Sequence, residues 1–198
     1  MKLTLVAFVV SLLAVNAQFP KPCATPQAWH GRASSYDHGK GVHNRFNITY
    51  DFANRRKRIV DEIDANTPGR SFHELLMLYN EDIFYEIDLA TGYCEARKPF
   101  FPWQPYEIPD NATFEGEYTL GQSLRVQVWS DRVVAPIPIR ETWIGTFTVG
   151  DCIPVYEVIS KGEISTSITS TFYNVVGGFD ANVFIPPSQC KSAVIREN

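Results

Sequence analysis

The sequence predicts a mostly β protein, an antiparallel meander folded as one domain, and three observations carry that prediction. Short runs alternate apolar and polar residues with a period of two; turns rich in Gly, Asn, Asp and Pro separate them; and each run follows the last without an intervening helical pattern. No internal repeat, low-complexity tract or linker divides the 198 residues.

In chain order, Met1-Lys2, the apolar run Leu3 to Val15 and the small-residue site Val15-Asn16-Ala17 predict a secretory signal peptide over 1–17. The apolar run is shorter than the about 20 residues a membrane span needs, and no later segment is longer. Residues 18–198 then form a single domain, long enough to bury about 70% of its unfolded surface. A net charge of −4 argues against a nucleic-acid partner. The one basic cluster, Arg55-Arg56-Lys57-Arg58, sits beside Asp51, Asp61 and Glu62 and reads as the solvated face of a strand.

Asn44–Asp51 alternates Phe46, Ile48 and Tyr50 with Arg45, Asn47, Thr49 and Asp51. Asn47-Ile-Thr49 is a glycosylation sequon, and a glycan must point into solvent, so Phe46, Ile48 and Tyr50 face inward. A strand follows near Arg56–Ile63. Ser71–Tyr79 is ambiguous by period, but its closeness to Asp82–Asp88 favours a strand pair joined through Asn80-Glu81-Asp82, with Ile83, Tyr85 and Ile87 inward. Ala90-Thr91-Gly92 turns the chain into a strand carrying Cys94. Lys98–Pro109 interleaves Pro99, Pro102, Pro105 and Pro109 with Phe100, Phe101, Trp103 and Tyr106. That excludes a regular strand or helix and predicts a rigid loop, either packed on the sheet by its aromatics or closing a pocket as a lid. Asn111-Ala-Thr113 is a second sequon, expected to be exposed.

A strand near Ser123–Ser130 follows, with Leu124, Val126 and Val128 inward. Arg140–Glu157 reads as two strands meeting at Gly150-Asp151 with Cys152 beside the turn, its β-branched and aromatic residues suited to a pleated surface. A long strand near Glu163–Val175, a break at Gly177-Gly178 and a short helical turn over Asp180–Phe184 end the chain. Four cysteines in a secreted chain imply two disulfides among three connectivities, and the absence of CxxC argues against zinc or redox use.

No constellation in the sequence performs catalysis, so the chain is read as a non-enzyme. His73-Glu74 begins like HExxH but lacks the second histidine. Gly39-Lys-Gly41 lacks the third glycine of a dinucleotide loop, and Ser188-Gln-Cys-Lys191 matches SxxK without its companion motifs. His30, His38 and His43 lack the Cys or Asp partners that would make a metal site of them.

Glu141-Thr-Trp-Ile-Gly145 followed by Thr148-Val-Gly-Asp-Cys152-Ile-Pro-Val-Tyr-Glu157 resembles the ependymin family. The resemblance extends through Cys23-Ala-Thr-Pro-Gln-Ala-Trp29 with Gly31-Arg32, Tyr85-Glu-Ile-Asp88 with Cys94, Trp129-Ser-Asp-Arg132, and Pro186-Pro-Ser with Cys190, in the family's order. It implies two stacked, strongly curved antiparallel sheets forming an open half-barrel with a deep apolar pocket, resembling the bacterial carriers of lipoprotein acyl chains. It also implies the pairings Cys23–Cys152 and Cys94–Cys190, a homodimer, and an extracellular location with a lysosomal destination as an alternative.

The function expected from these features is that of a secreted glycoprotein binding a hydrophobic small molecule, a lipid or fatty acyl chain. An aromatic content of 13% accords with it, and such a pocket works by burying apolar ligand area. Its wall is assigned to Ile48, Tyr50, Leu76, Tyr85, Ile87, Val126, Val128, Trp143 and Phe147. The alternative is a calcium-dependent extracellular adhesion glycoprotein. No cofactor is required; the family's association with calcium directs attention to Asp61-Glu62-Ile63-Asp64 and to Glu81-Asp82 with Glu86 and Asp88. Neither group has EF-hand spacing, and the metal ligands stay unassigned.

Overall fold

The computed structural model describes residues 20–99, 102–131, 142–160 and 167–196. The expected signal peptide lies outside them, as do Phe100, Phe101, Arg132, Arg140, Glu141 and the first residues of the last long strand. Among the described residues, twelve strands form one sheet: β1 (Ala28–Asp37), β2 (Val42–Asp51), β3 (Arg56–Ile63), β4 (Ser71–Leu78), β5 (Ile83–Asp88), β6 (Cys94–Arg97), β7 (Thr113–Leu120), β8 (Leu124–Ser130), β9 (Trp143–Thr148), β10 (Pro154–Ile159), β11 (Ile168–Gly177) and β12 (Ile195–Arg196). Their order is β12-β6-β5-β4-β3-β2-β1-β11-β10-β9-β8-β7. All pairs are antiparallel except β12 with β6.

Two meanders are thus fused edge to edge, β1–β6 on one side and β7–β11 on the other, along the β1–β11 seam. The expectation of two stacked sheets is corrected on this point: hydrogen bonding runs unbroken through the seam, from Trp29 opposite Gly177 to Asp37 opposite Ile168. β1 and β7 carry no strong strand signature. β1 (AWHGRASSYD) holds Ala, Gly and Ser where β-branched residues would be expected, and their small size suits the seam. A Cβ on Gly31 would stand 3.0 Å from Cγ2 of Val175 on the neighbouring strand.

The order places β6 near one edge and β7 at the other, so the chain between them must cross a face of the sheet. β6 and β7 are positions 2 and 12, ten inter-strand steps apart, about 48 Å on a flat sheet at about 4.8 Å per step. The residues between them, 98–112, reach about 50 Å only when fully extended. The segment bends at Tyr106 and Glu107, so the sheet itself must curl about it. Lys57 on β3 and Glu157 on β10, four steps apart in the sheet order, accordingly line one hollow.

Register separates the two faces without ambiguity. Trp29, Tyr50, Lys57, Met77 and Phe84 stand opposite one another across β1 to β5, on the inner face that the crossing segment covers. Through the seam this face continues with Phe172, Glu157, Gly145, Trp129 and Phe147. Its core holds Trp29, Ala33, Ile48, Tyr50 and Phe172 under Trp103 and Tyr106. Beside it Ile108, Trp129, Phe147 and Cys152 pack with Trp143. The outer face is polar over β2, but over β4 and β5 it is apolar: Leu76, Leu78 and Tyr85 pack with Phe179, Val183 and Phe184 of the C-terminal segment.

The two disulfides are Cys23–Cys152, with Cα atoms 5.8 Å apart, and Cys94–Cys190, at 5.3 Å. The first ties the chain ahead of β1 to the β9–β10 turn, and the second anchors the C-terminal segment on the outer face. Cys152→Ser opens a separation of 129 residues and should lower the unfolding free energy by about 5 kcal/mol in the chain-entropy account. Equilibrium urea unfolding of the two proteins measures this, and an unchanged midpoint would show that the bridge does not restrain the unfolded chain.

Candidate functional site

The site grows from one residue of the basic cluster. In β3 the alternation splits Arg56-Lys57-Arg58, because successive side chains point to opposite faces. Arg56 and Arg58 lie outside, paired with Asp51 and Glu74 at 2.8 Å and 2.9 Å. Lys57 points inward and is 9% exposed. The expectation of a solvated basic face therefore holds for Arg56 and Arg58 and is corrected for Lys57. Its Nζ donates to the Gln104 carbonyl at 2.5 Å. It lies 4.1 Å from the Tyr106 ring centroid, 4.9 Å from Trp103 and 5.7 Å from Tyr50.

The crossing segment builds this cage. Trp103 stacks on Tyr50 at 5.6 Å and 5°, while Tyr106 packs edgewise on Trp29, Tyr50 and Phe172. The Tyr106 amide donates to Tyr50 Oη at 3.3 Å, and Thr25 Oγ1 donates to the Tyr106 carbonyl at 2.6 Å. The prolines explain the fit, since they remove donors and stiffen a backbone that has no neighbouring strand to pair with. Trp103 and Tyr106 pack the loop on the sheet, the first of its two expected roles, and Gln104 to Glu107 also wall the hollow beside them.

Between Tyr106 and strands β9 and β10 lies a hollow of about 480 Å³, lined by Lys57, Tyr106, Thr142, Trp143, Glu157 and Ile159 among others. The Trp143 indole donates to Glu157 Oε1 at 2.8 Å. Gly145 makes this placement feasible: a Cβ there would stand 2.3 Å from Cζ2 of Trp143 and 2.6 Å from Cε2 of Phe147. Burial pushes Lys57 down to about 8 and Glu157 up, each partly opposed by the other's charge. Desolvation also raises Tyr50 to about 12 and pushes Tyr106 up. Chemically the hollow offers aromatic faces, one cation and two carboxylates, Glu157 inside it and the exposed Glu107 at its rim, and it is more polar than the apolar pocket expected.

The nine residues assigned to a ligand wall do not share one wall. Ile48, Tyr50, Trp143 and Phe147 are on the inner face. Leu76 stands opposite Arg58 and Tyr85, and Ile87 opposite Glu74, all on the outer face. Val126 and Val128, opposite Thr148 and Thr146, are outer as well, and Leu124 with them; the inward residues of β8 are Gln127 and Trp129. Alternation along a strand reports its phase but not which side is which, and here both sides are covered. Lys57, Tyr106 and Glu157 were missed as a group. Lys57 shares the phase of Ile59 and Ile63 in the same strand, and that signal marked it as inward.

Asn47 and Asn111 are both exposed, with Asn47 on the outer face. His30 Nδ1 donates to the Gly178 carbonyl at 2.7 Å. The acidic groups considered for calcium divide between faces: Asp61 and Glu86 are inner, while Glu62 pairs with Arg45 and Arg70 outside. Among the described residues no three His, Cys, Asp or Glu side chains gather as a metal site.

Asp61, opposite His73 on β4, is 8% exposed, and its Oδ1 has no hydrogen-bond partner. Desolvation raises it from 3.8 to about 6, against the pull of His73. The folded protein therefore holds this proton more tightly than the unfolded chain, so stability falls as pH rises from 3.8 through 6. Asp61→Asn removes that slope: relative to wild type the variant should gain about 2 kcal/mol between pH 4 and pH 7. Urea titrations at the two pH values measure it, and a difference independent of pH would contradict the shift. Gly145→Ala should cost about 1–3 kcal/mol because the Trp143 and Phe147 rings must move; a melting temperature equal to wild type would show that they yield freely.

The ependymin family model matches residues 67–190. Mammalian ependymin-related protein 1 of Mus musculus is 38% identical over 177 residues, spanning 88% of this chain and 78% of that protein. Ependymin-2 of Carassius auratus is 26% identical over 183 residues, covering 89% and 83%. An uncharacterized conserved protein from Thermus thermophilus has a similar fold, with a TM-score of 0.56 at 10% identity over 87% of this chain and 91% of that one. The model match takes in the segment that builds the cage, and the mammalian relative matches most of the chain; the protein belongs to the ependymin family.

Proposed function

We propose that this chain is a secreted glycoprotein that carries an amphiphilic, lipid-like small molecule on the inner face of its curved sheet. The observation that carries the reading is the hollow of about 480 Å³ between Tyr106 and Trp143. That volume falls within the range typical of small-molecule sites, which combine aromatic walls with a few polar groups that fix orientation. Trp143 and Ile159 supply apolar area, and Lys57 and Glu157 supply the polar groups. This refines the expected apolar pocket of a half-barrel to one with a charged inner end, and it describes a carrier rather than an enzyme.

Export is supported by two exposed sequons and two disulfides, the latter characteristic of oxidising compartments. Among the described residues no helix is long and apolar enough to cross a membrane. A homodimer is part of the proposal. β7 is an edge strand with unpaired backbone groups, and Tyr118, Leu120 and Leu124 on it and its neighbour are exposed.

Native mass spectrometry of the secreted protein, followed by organic extraction, tests the reading. A discrete adduct of lipid size that is lost on extraction supports it, and the same spectrum reports monomer or dimer. A clean mass with no uptake of added fatty acid would overturn it. Trp143→Ala should weaken binding of the extracted ligand by about tenfold while melting only a few degrees lower; unchanged affinity would mean that the ring is simple core packing.

A further inference from the structure

We propose that the inner hollow selects a zwitterionic headgroup of the phosphocholine type, its anionic group held at Lys57 and its quaternary ammonium held between Glu157 and the Tyr106 and Trp143 rings. This rests on the carrier reading and names the class of amphiphile carried.

Lys57 and Glu157 line the same hollow, with the exposed Glu107 at its rim, but no ion pair joins Lys57 to either carboxylate among the described residues. Lys57 and Glu157 are therefore each buried with incomplete compensation. Lys57 spends one donor on the Gln104 carbonyl and keeps two, with aromatic faces beside it. Glu157 accepts from the Trp143 indole at one oxygen and retains acceptor capacity. Burial displaces both groups toward their neutral forms, as expected where solvation is lost and not replaced.

Ligand charge then decides the fit. A lone carboxylate would satisfy Lys57 but add a third acidic group to a hollow that already holds Glu157 and Glu107. A lone cation would satisfy the carboxylates but leave Lys57 without a counterion. A neutral chain would leave both groups as they are. A net-neutral headgroup carrying both charges compensates each side chain and adds none. The carboxylate set among aromatic rings favours a quaternary ammonium on its side of the hollow, since such rings attract diffuse cations. Thr142 and Ser160 also line the hollow and offer hydroxyl groups to the anionic end.

The test is calorimetric titration of delipidated protein with four ligands of one chain length: octylphosphocholine, octanoate, octyltrimethylammonium and octanol. Octylphosphocholine should bind about tenfold more tightly than each of the others. In Lys57→Met and in the near-isosteric Glu157→Gln, its advantage over octanol should collapse toward one. Octanol bound as tightly as octylphosphocholine by wild type would overturn the headgroup proposal and leave the carrier reading standing. Failure of all four to bind would overturn both. Tightest binding of octanoate, or of octyltrimethylammonium, would overturn the zwitterion in favour of a single charge at Lys57 or at Glu157. Because the wild-type series alone decides the selectivity, poor folding of a variant does not rescue the proposal.

Discussion

The structure depends on one crossing. β6 and β7 lie toward opposite ends of a twelve-strand sheet, and the segment between them lays Trp103, Tyr106 and Ile108 on the inner face. That segment is barely long enough, so sheet curvature and loop conformation constrain each other. Tyr106 and Trp103 are where the segment touches bottom, on Trp29, Tyr50 and Phe172. Prolines at 99, 102, 105 and 109 reduce the chain entropy that ordering such a segment costs. The segment packs on the middle of the inner face and, through Ile108, on Phe147 of β9, and a hollow remains between Tyr106 and Trp143.

Much of this was legible in the sequence, for definite reasons. The sequon at Asn47 set the phase of β2, and Ile48 and Tyr50 are buried as that phase requires. Arg56–Ile63 was readable to its ends as β3. The reading failed where a second cover exists. Tyr85 and Ile87 have the alternation of an inward set but lie on the outer face, where Tyr85 packs with Leu76 against the C-terminal segment. Val126 likewise is only 2% exposed on that face. Period two cannot distinguish two buried faces, and no sequon marks β4, β5 or β8. β1 escaped notice because its small residues serve the seam rather than the propensity of a strand.

The site was illegible for a different reason, that its members are remote in sequence. Lys57, Tyr106 and Glu157 belong to β3, the crossing segment and β10. Charged residues in strands are usually solvated, and of the basic run Arg56 and Arg58 obey that rule by pairing with Asp51 and Glu74. Lys57 departs from it only because curvature brings Tyr106 over its ammonium. A lysine in this position weakens the empty protein, since its folded state resists the charge that the unfolded chain holds freely. Groups that oppose folding in this way are more frequent in binding sites than in cores, where an apolar residue would serve better.

The width of the hollow is set at the seam. β1 and β11 are ten-residue strands and provide the hydrogen-bonded contact between the two meanders. A β-bulge interrupts their register between His30 and Arg32, where a sheet bends and twists most readily. Cys23–Cys152 acts on the same hinge from the inner side, tying the chain ahead of β1 to the β9–β10 turn. Thr25 extends that restraint to the crossing segment through the Tyr106 carbonyl. Lys57 and Glu157 sit on opposite sides of the seam, so their separation follows the angle at which the meanders meet. The disulfide is thereby linked, through Thr25, to the segment whose Tyr106 lines the hollow with Lys57 and Glu157. One covalent bond therefore lies on the hollow's side of the sheet, packed with Ile108, Trp129 and Phe147, while the second ties β6 to the outer cover.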